Sequence, residues 1–275
     1  MIDEIMYWHI HAMLGVFTLF LIIDFFKEQN NLFKKIGIYF LCFIVIVALI
    51  QSIFWDNFGA KLGLWVFNPK KSVELAVFGN LLPVEEVLWI IHHSFMAILF
   101  QMKIFDIIPR NELKPLHYSN RIIWMVNIVL VLMTIYGFCT VIVSNQINLK
   151  ISSLLSLFFA PLFMFQWFFG HRFLRQNHKR VLLGVAIPSI YTTILDAFAQ
   201  HHCIWSFPLK YTHNINVFGI NFDVFLIYTC TTFACTLGYA IIQSVMETMI
   251  FESKNNNLAR NLSVYNILSR ILTRK

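Results

Sequence analysis

Seven runs of about 20 apolar residues constrain this chain more than anything else in it. They are roughly Tyr7 to Phe26, Ile36 to Trp55, Val77 to Gln101, Ile122 to Val143, Ile151 to Gly170, Val181 to Gln200 and Phe222 to Gln243. A helix rises about 1.5 Å per residue, so each run is long enough to cross a bilayer core of about 30 Å. With 58% hydrophobic and 13% charged residues over 275 positions, the composition argues against a cytosolic enzyme. The first run reads as a retained helix and not a cleaved signal peptide, because Asp3 and Glu4 precede it without Lys or Arg.

The basic residues predict orientation. Of 21 Lys and Arg, 16 fall in the loops after spans one, three and five and in the tail; 5 fall elsewhere. Cytoplasmic loops retain positive charge, so an integral protein of the cell membrane is expected, with the N-terminus outside and the C-terminus inside. The clusters Lys34-Lys35 and Arg172, Arg175, Lys179, Arg180 then face anionic lipid, which accounts for a pI of about 9.2 without nucleic acid as a partner. Beyond the last span, Leu258, Leu262, Tyr265, Leu268 and Leu272 recur at helical spacing beside Arg260, Arg270 and Arg274, the pattern of an amphipathic helix on the inner leaflet. The five cysteines suit neither a disulfide framework nor a CxxC metal site and read as small buried apolar side chains.

An internal repeat predicts the architecture. Asp56, Phe58, Trp65 and Phe67 recur as Asp196, Phe198, Trp205 and Phe207, and Val77-Phe78-Gly79 recurs as Val217-Phe218-Gly219, all at an offset of 140. The same offset carries span one onto five, two onto six and three onto seven. The expected fold is all-α and polytopic: seven transmembrane helices as two parallel three-helix repeats plus one linker helix. The corresponding units are 1–101, a linker 102–146, 147–244 and a cytoplasmic tail 245–275. Both aromatic stretches reach the same outer face, which points to a ligand site between the halves.

The third span carries Pro83-Val84-Glu85-Glu86, then Trp89 and His92-His93. Counted from Val77, Glu85 is expected about 12 Å along the helix. Carboxyls inside a membrane helix are costly and functional by default, and one that keeps its proton in an apolar, aromatic-lined site is a general acid. A structural ion pair is the plain alternative. The histidines lack the three- or four-residue spacing of a helical metal pair, so no metal is expected; His92 and His93 read as hydrogen-bonding groups near the site. Trp65, Trp89, Trp205, Phe67 and Phe207 read either as interface anchors or as ring faces for a carbocation.

Trp55-Asp56, Trp65-x-Phe67, Pro83-x-Glu85-Glu86 and the repeated Asp196 to Phe207 resemble the lycopene cyclase domain family, the integral-membrane type found as two-subunit or fused proteins. The likeness covers both repeats, about residues 7–101 and 147–244. In that family each half usually carries Pro-x-Glu-Glu. Here the second half departs from it: with a two-residue gap Asp223 falls opposite Glu85 and Val224 opposite Glu86, whereas without a gap Asp223 falls opposite Pro83.

The resemblance implies acid-initiated ring closure at the end of a linear carotene, an isomerisation that requires no redox cofactor. Glu85 or Glu86 would be the acid, and Asp56, Asp196 or Asp223 the partner carboxyls. Trp65, Trp205 and Trp89 would stabilise the cation. The partners implied are a linear carotenoid and the lipid bilayer, with other enzymes of the carotenoid pathway as candidates. A hydratase, in which water captures the cation, and a non-catalytic membrane polyene- or lipid-binding protein are the alternatives.

Overall fold

The computed structural model describes residues 5–27, 31–73, 76–77, 82–108, 119–143, 149–217 and 220–255. The amphipathic tail expected from Leu258 onward lies outside them. The described residues are mostly helical: α1 (Tyr7–Lys27), α2 (Asn31–Gln51), a π-helical turn (Ser52–Asp56), α3 (Asn57–Lys61), α4 (Val84–Ile107), α5 (Asn120–Phe138), a second π-helical turn (Cys139–Val143), α6 (Ile151–His201) and α7 (Phe222–Asn255). Six of these segments are long and apolar enough to cross a membrane. Their outer faces expose rows of large apolar side chains, among them Phe20, Phe54, Trp124, Met125 and Leu132, which water would not tolerate over so wide a surface. Cys42 and Cys139 lie on exposed helix faces and Cys203 is exposed too, so of the five cysteines expected to be buried only Cys235 fully is.

The fifth and sixth apolar runs form one element. α6 has 51 residues with a single non-helical position, Asn177 (φ −120°, ψ 18°). Near its start, Lys150 Nζ donates to the carbonyls of Lys210 and Thr212, which follow its end, so the element doubles back at Asn177. Groups freed there are satisfied locally. Asn177 Nδ2 donates to the Phe173 carbonyl (3.2 Å), and Arg180 donates to Asn177 Oδ1 (2.9 Å) and to the Phe105 carbonyl at the end of α4 (2.5 Å). The bend is thus pinned to the far end of α4.

α1 and α4 run in the same direction. Tyr7 meets Glu86 at their beginnings, and Lys103 Nζ lies 2.6 Å from Asp24 at their ends. Three short antiparallel pairs, not foreseen in an all-α fold, tie the loops at the other end of the molecule: β1 (Val66–Phe67) with β4 (Trp205–Ser206), β2 (Ala76–Val77) with β3 (Leu82–Pro83), and β5 (Asn216–Val217) with β6 (Ile220–Asn221). Backbone groups in loops that border a bilayer need partners, and two-residue ladders supply them.

The β2–β3 hairpin also corrects the third span. The sequence places its start at Val77, but the helix starts at Val84, after an extended Pro83 (φ −67°, ψ 149°). Glu85 and Glu86 therefore occupy the first turn of α4, not a point deep along it. Proline favours this boundary because it lacks the N–H that a helix begun at Val77 would use in its second turn.

The two stretches that match at an offset of 140 share local hydrogen bonds. Leu62, Gly63 and Leu64 N–H donate to the carbonyls of Phe58, Ala60 and Gly59; His202, Cys203 and Ile204 donate to Phe198, Gln200 and Ala199. Gly63 (φ 71°) and Cys203 (φ 52°) hold the same left-handed position after their helices. Glu85 Oε1 accepts from Val73 N–H (2.5 Å) and Asp223 Oδ2 from His213 N–H (2.7 Å). Residues 73 and 213 are 140 apart, while 85 and 223 are 138 apart. The difference arises in the hairpins, because Ala76 pairs with Pro83 whereas Asn216 pairs with Asn221, two residues sooner. Of the two registers left open by the sequence, the structure selects the gapped one, with Asp223 matching Glu85 and Val224 matching Glu86.

Candidate functional site

A chamber sits where α4, α7, the second half of α6 and the π-turn after α2 converge beneath the β1–β4 pair. It is lined by Gln51, Trp55, Asp56, Trp65, Phe67, Glu86, Trp89, Ile90, His93, Asp196, Trp205, Phe207, Ile227, Tyr228 and Thr231, with about 560 Å³ of space between atoms, part of it open to the outside. Nine of the twelve side chains singled out from the sequence line it. Glu85, His92 and Asp223 do not.

Each lining element has a local reason for its position. The π-turn Ser52–Asp56 adds a residue to a helical turn and so turns Trp55 and Asp56 inward, both buried. Trp65 lies against Gly59, where a Cβ would come within 2.2 Å of its ring, and its Nε1–H donates to the Asp56 carbonyl (3.2 Å). Trp205 Nε1–H reaches the equivalent acid through its side chain, donating to Asp196 Oδ1 (2.8 Å). Trp65 and Trp205 are 6% and 4% exposed, which excludes the headgroup-anchor reading for both.

Three carboxyls face the chamber in three different environments. Asp196 accepts three hydrogen bonds: Trp205 and Tyr228 donate to Oδ1, each at 2.8 Å, and Gln200 donates to Oδ2. Glu86 Oε2 accepts from the hydroxyl of Tyr7, a fully buried side chain whose ring packs 4.8 Å from that of Trp205. Asp56 Oδ2 is buried without a protein partner. The chamber thus holds one carboxyl held by three donors, one bonded to a tyrosine hydroxyl and one with an oxygen that has no protein partner.

Aromatic rings wall the space from both sides. Trp89 lies 6.0 Å from Trp205 and 6.3 Å, edge-on, from Tyr228; Trp65 lies 6.1 Å from Trp55 and 6.4 Å from Phe207. Ring faces attract a cation by about 0.5–2 kcal/mol each when desolvated.

The adjacent histidines separate. His93 lines the chamber, hydrogen-bonds Thr232 (2.9 Å) and packs 5.5 Å from Tyr228. His92 faces α1, stacked 6.0 Å from His11, whose Nε2 contacts the Glu85 carbonyl at 3.0 Å. Glu85 and Asp223 are buried loop anchors at the starts of α4 and α7; His213 gives Asp223 its ring Nδ1 (2.7 Å) as well as its backbone N–H. Among the described residues no three His, Cys, Asp or Glu side chains are placed to hold a metal ion.

Tyr7, Gln51, Tyr228, Thr231 and Gln200 were missed by the sequence reading. A signal existed for two of them. At the gapped offset of 138, His93 falls on Thr231 and Ile90 on Tyr228, so projecting the α4 face onto α7 would have found both.

These features define a class: a helical protein of membrane type with a buried, aromatic-walled chamber of carboxylic acids. Within that class, the chain is similar to lycopene cyclases. It is 23% identical over 228 residues to the bifunctional lycopene cyclase/phytoene synthase of Gibberella fujikuroi, covering 78% of this chain and 38% of that protein. To the lycopene beta-cyclase of Halobacterium salinarum it is 24% identical over 179 residues, covering 64% of this chain and 70% of the relative. The Neurospora crassa bifunctional lycopene cyclase/phytoene synthase matches at 24% over 174 residues, 60% of this chain and 28% of that one. The chain therefore spans little more than a third of the first fungal relative, and the family resemblance read from its motifs is supported. No family model matches the chain, and no solved structure does.

Proposed function

We propose that this protein closes a ring at the end of a linear carotene, and that Glu86 supplies the proton. The observation that carries the reading is the placement of Glu86 beside Tyr7 in a chamber walled by Trp65, Trp89 and Trp205, together with the unpartnered oxygen of Asp56. Glu86 adds its proton to the terminal double bond, giving a tertiary cation that the rings stabilise. The next double bond attacks that cation, forming the ring's carbon–carbon bond. Asp56 accepts the proton then lost from the ring, and exchange between the carboxyls returns Glu86 to its starting state. Every atom of the substrate is retained, so the reaction is an isomerisation and needs no redox partner. Asp196, which accepts from Trp205, Tyr228 and Gln200, holds those side chains in place as a positioning group. The similarity to lycopene cyclases supports this assignment of substrate class.

On this reading α6 crosses the bilayer twice, giving seven spans with the N-terminus outside. Residues 1–101 and 147–244 form two parallel units about a pseudo-twofold axis through the chamber. The shared hydrogen bonds at the offset of 140 support the duplication.

Expression in a host that accumulates lycopene tests the reading. A cyclic product is expected. A hydroxylated product would identify a hydratase, and unchanged pigment would leave a polyene-binding protein.

A further inference from the structure

We propose that the unreacted length of the substrate lies in a second cavity, a lipid-open groove between α2 and the first half of α6 with α7 as its floor. The inference rests on the cyclase reading for the identity of its occupant, an extended apolar polyene chain. The groove offers about 1450 Å³ of space, part of it open to the surroundings, and is walled by Phe40, Phe43, Phe159, Phe165 and Phe169.

Continuity with the chamber is the first argument. Gln51 and Thr231 line both cavities, so one end of the groove abuts the chamber at these two side chains. Its lining runs down α2 from Gln51 to Phe40 and down α7 from Thr231 to Val245, which at 1.5 Å per residue is about 16 Å and about 21 Å. A cavity of that shape, running from beside the reaction chamber along the helix axes, fits an extended chain whose end lies in the chamber.

The walls suit that chain. Lipid tails are as apolar as the groove, so burial alone gives no preference for one hydrocarbon over another. Flat, stiff conjugated carbon gains instead from close contact with ring faces on two sides, which flexible acyl chains match poorly. Gly238 keeps the floor low. A Cβ there would stand 3.3 Å from Gln166 and 3.6 Å from the Phe40 ring, closing the space between the walls. Phe43, Val47, Leu162 and Phe165 are exposed along its rim, so a substrate can enter sideways from the bilayer without crossing water.

The test uses the full chain in liposomes loaded with lycopene. Val47→Trp with Leu162→Trp narrows the mouth at two lipid-facing positions where added bulk need not disturb packing; Ile194→Trp, exposed away from the groove, controls for bulk alone. Phe43→Ala with Phe165→Ala removes two wall rings and strains nothing. Turnover is read by product chromatography, and binding by lycopene retained on purified protein in a Glu86→Gln background. The double Trp and double Ala variants are each expected to lose at least tenfold in binding, with turnover falling in parallel, while Ile194→Trp retains both. Unchanged lycopene binding and turnover in both groove variants would overturn the proposal. The two readings fail separately: a wild-type chain that binds lycopene in a groove-dependent way without converting it sinks the cyclase reading alone, and an active wild type indifferent to the groove variants sinks the groove alone.

Discussion

Val66 pairs with Ser206, the residue 140 positions later, in the antiparallel β1–β4 ladder. On the proposed duplication, this is the pairing expected where a twofold axis passes through an antiparallel ladder. The flanking pair, Phe67 with Trp205, joins one aromatic from each stretch directly over the chamber. Asp56 with Asp196, Trp65 with Trp205 and Phe67 with Phe207 all line the chamber, and the departures from the sequence match become informative. Glu86 has only Val224 as its counterpart, so the proposed acid comes from one half.

Glu86→Gln is expected to lower product formation by about 10²–10⁴-fold, the usual contribution of a general acid. Glu85→Gln is expected to retain most activity, because a Gln oxygen still accepts from Val73 N–H. The two variants are compared in a lycopene-accumulating host, with elution from a sizing column as the check on folding. Equal loss in both would remove the distinction between chamber acid and loop anchor.

Asp196→Ala strands the donors of Trp205, Tyr228 and Gln200 in a dry interior. Each unpaired group costs about 1–3 kcal/mol. A marked drop in thermal stability in detergent is expected, and Tyr228→Phe, which removes a single donor, should cost far less.

Cys203→Gly should stabilise the protein. Cys203 occupies a left-handed conformation (φ 52°) that its counterpart Gly63 adopts without a Cβ. Relief of about 1 kcal/mol is expected, readable as a rise of about 2–4 °C in Tm. A fall in Tm would mean that the Cys203 side chain contributes more than its backbone costs.

The two halves are expected to share one site. Residues 1–146 and 147–275 expressed as separate chains should each be inactive and recover activity together. Val66→Cys with Ser206→Cys, in a chain whose own cysteines are replaced, should cross-link under mild oxidation, since facing residues in a ladder bring their Cβ atoms within about 5.5 Å. Activity from 1–146 alone would make the second half a structural remnant.

Reporter fusions at Asn30, Asn111 and Asn177 should read cytoplasmic and one at Asn214 external. An external signal at Asn111 would reverse the expected orientation.

The apolar runs, their length and the offset of 140 are properties counted along the chain, so the sequence alone determined that helices of spanning length form and that two stretches share one local fold. It also determined most of the chamber, because a recurring Asp, Trp and Phe at fixed spacing marks the same turn geometry twice. Direction was beyond it. Neighbouring residues on a helix point about 100° apart, so of Glu85 and Glu86, or of His92 and His93, one faces the chamber and the other a loop or α1, and only the packed neighbours decide which. The gapped register was settled by a hairpin two residues shorter, and the course of α6 by a single non-helical residue held by Arg180. Tyr7 reaches Glu86 across 79 residues, a distance in sequence that no local pattern encodes; tertiary packing alone brings that hydroxyl to the carboxyl it orients.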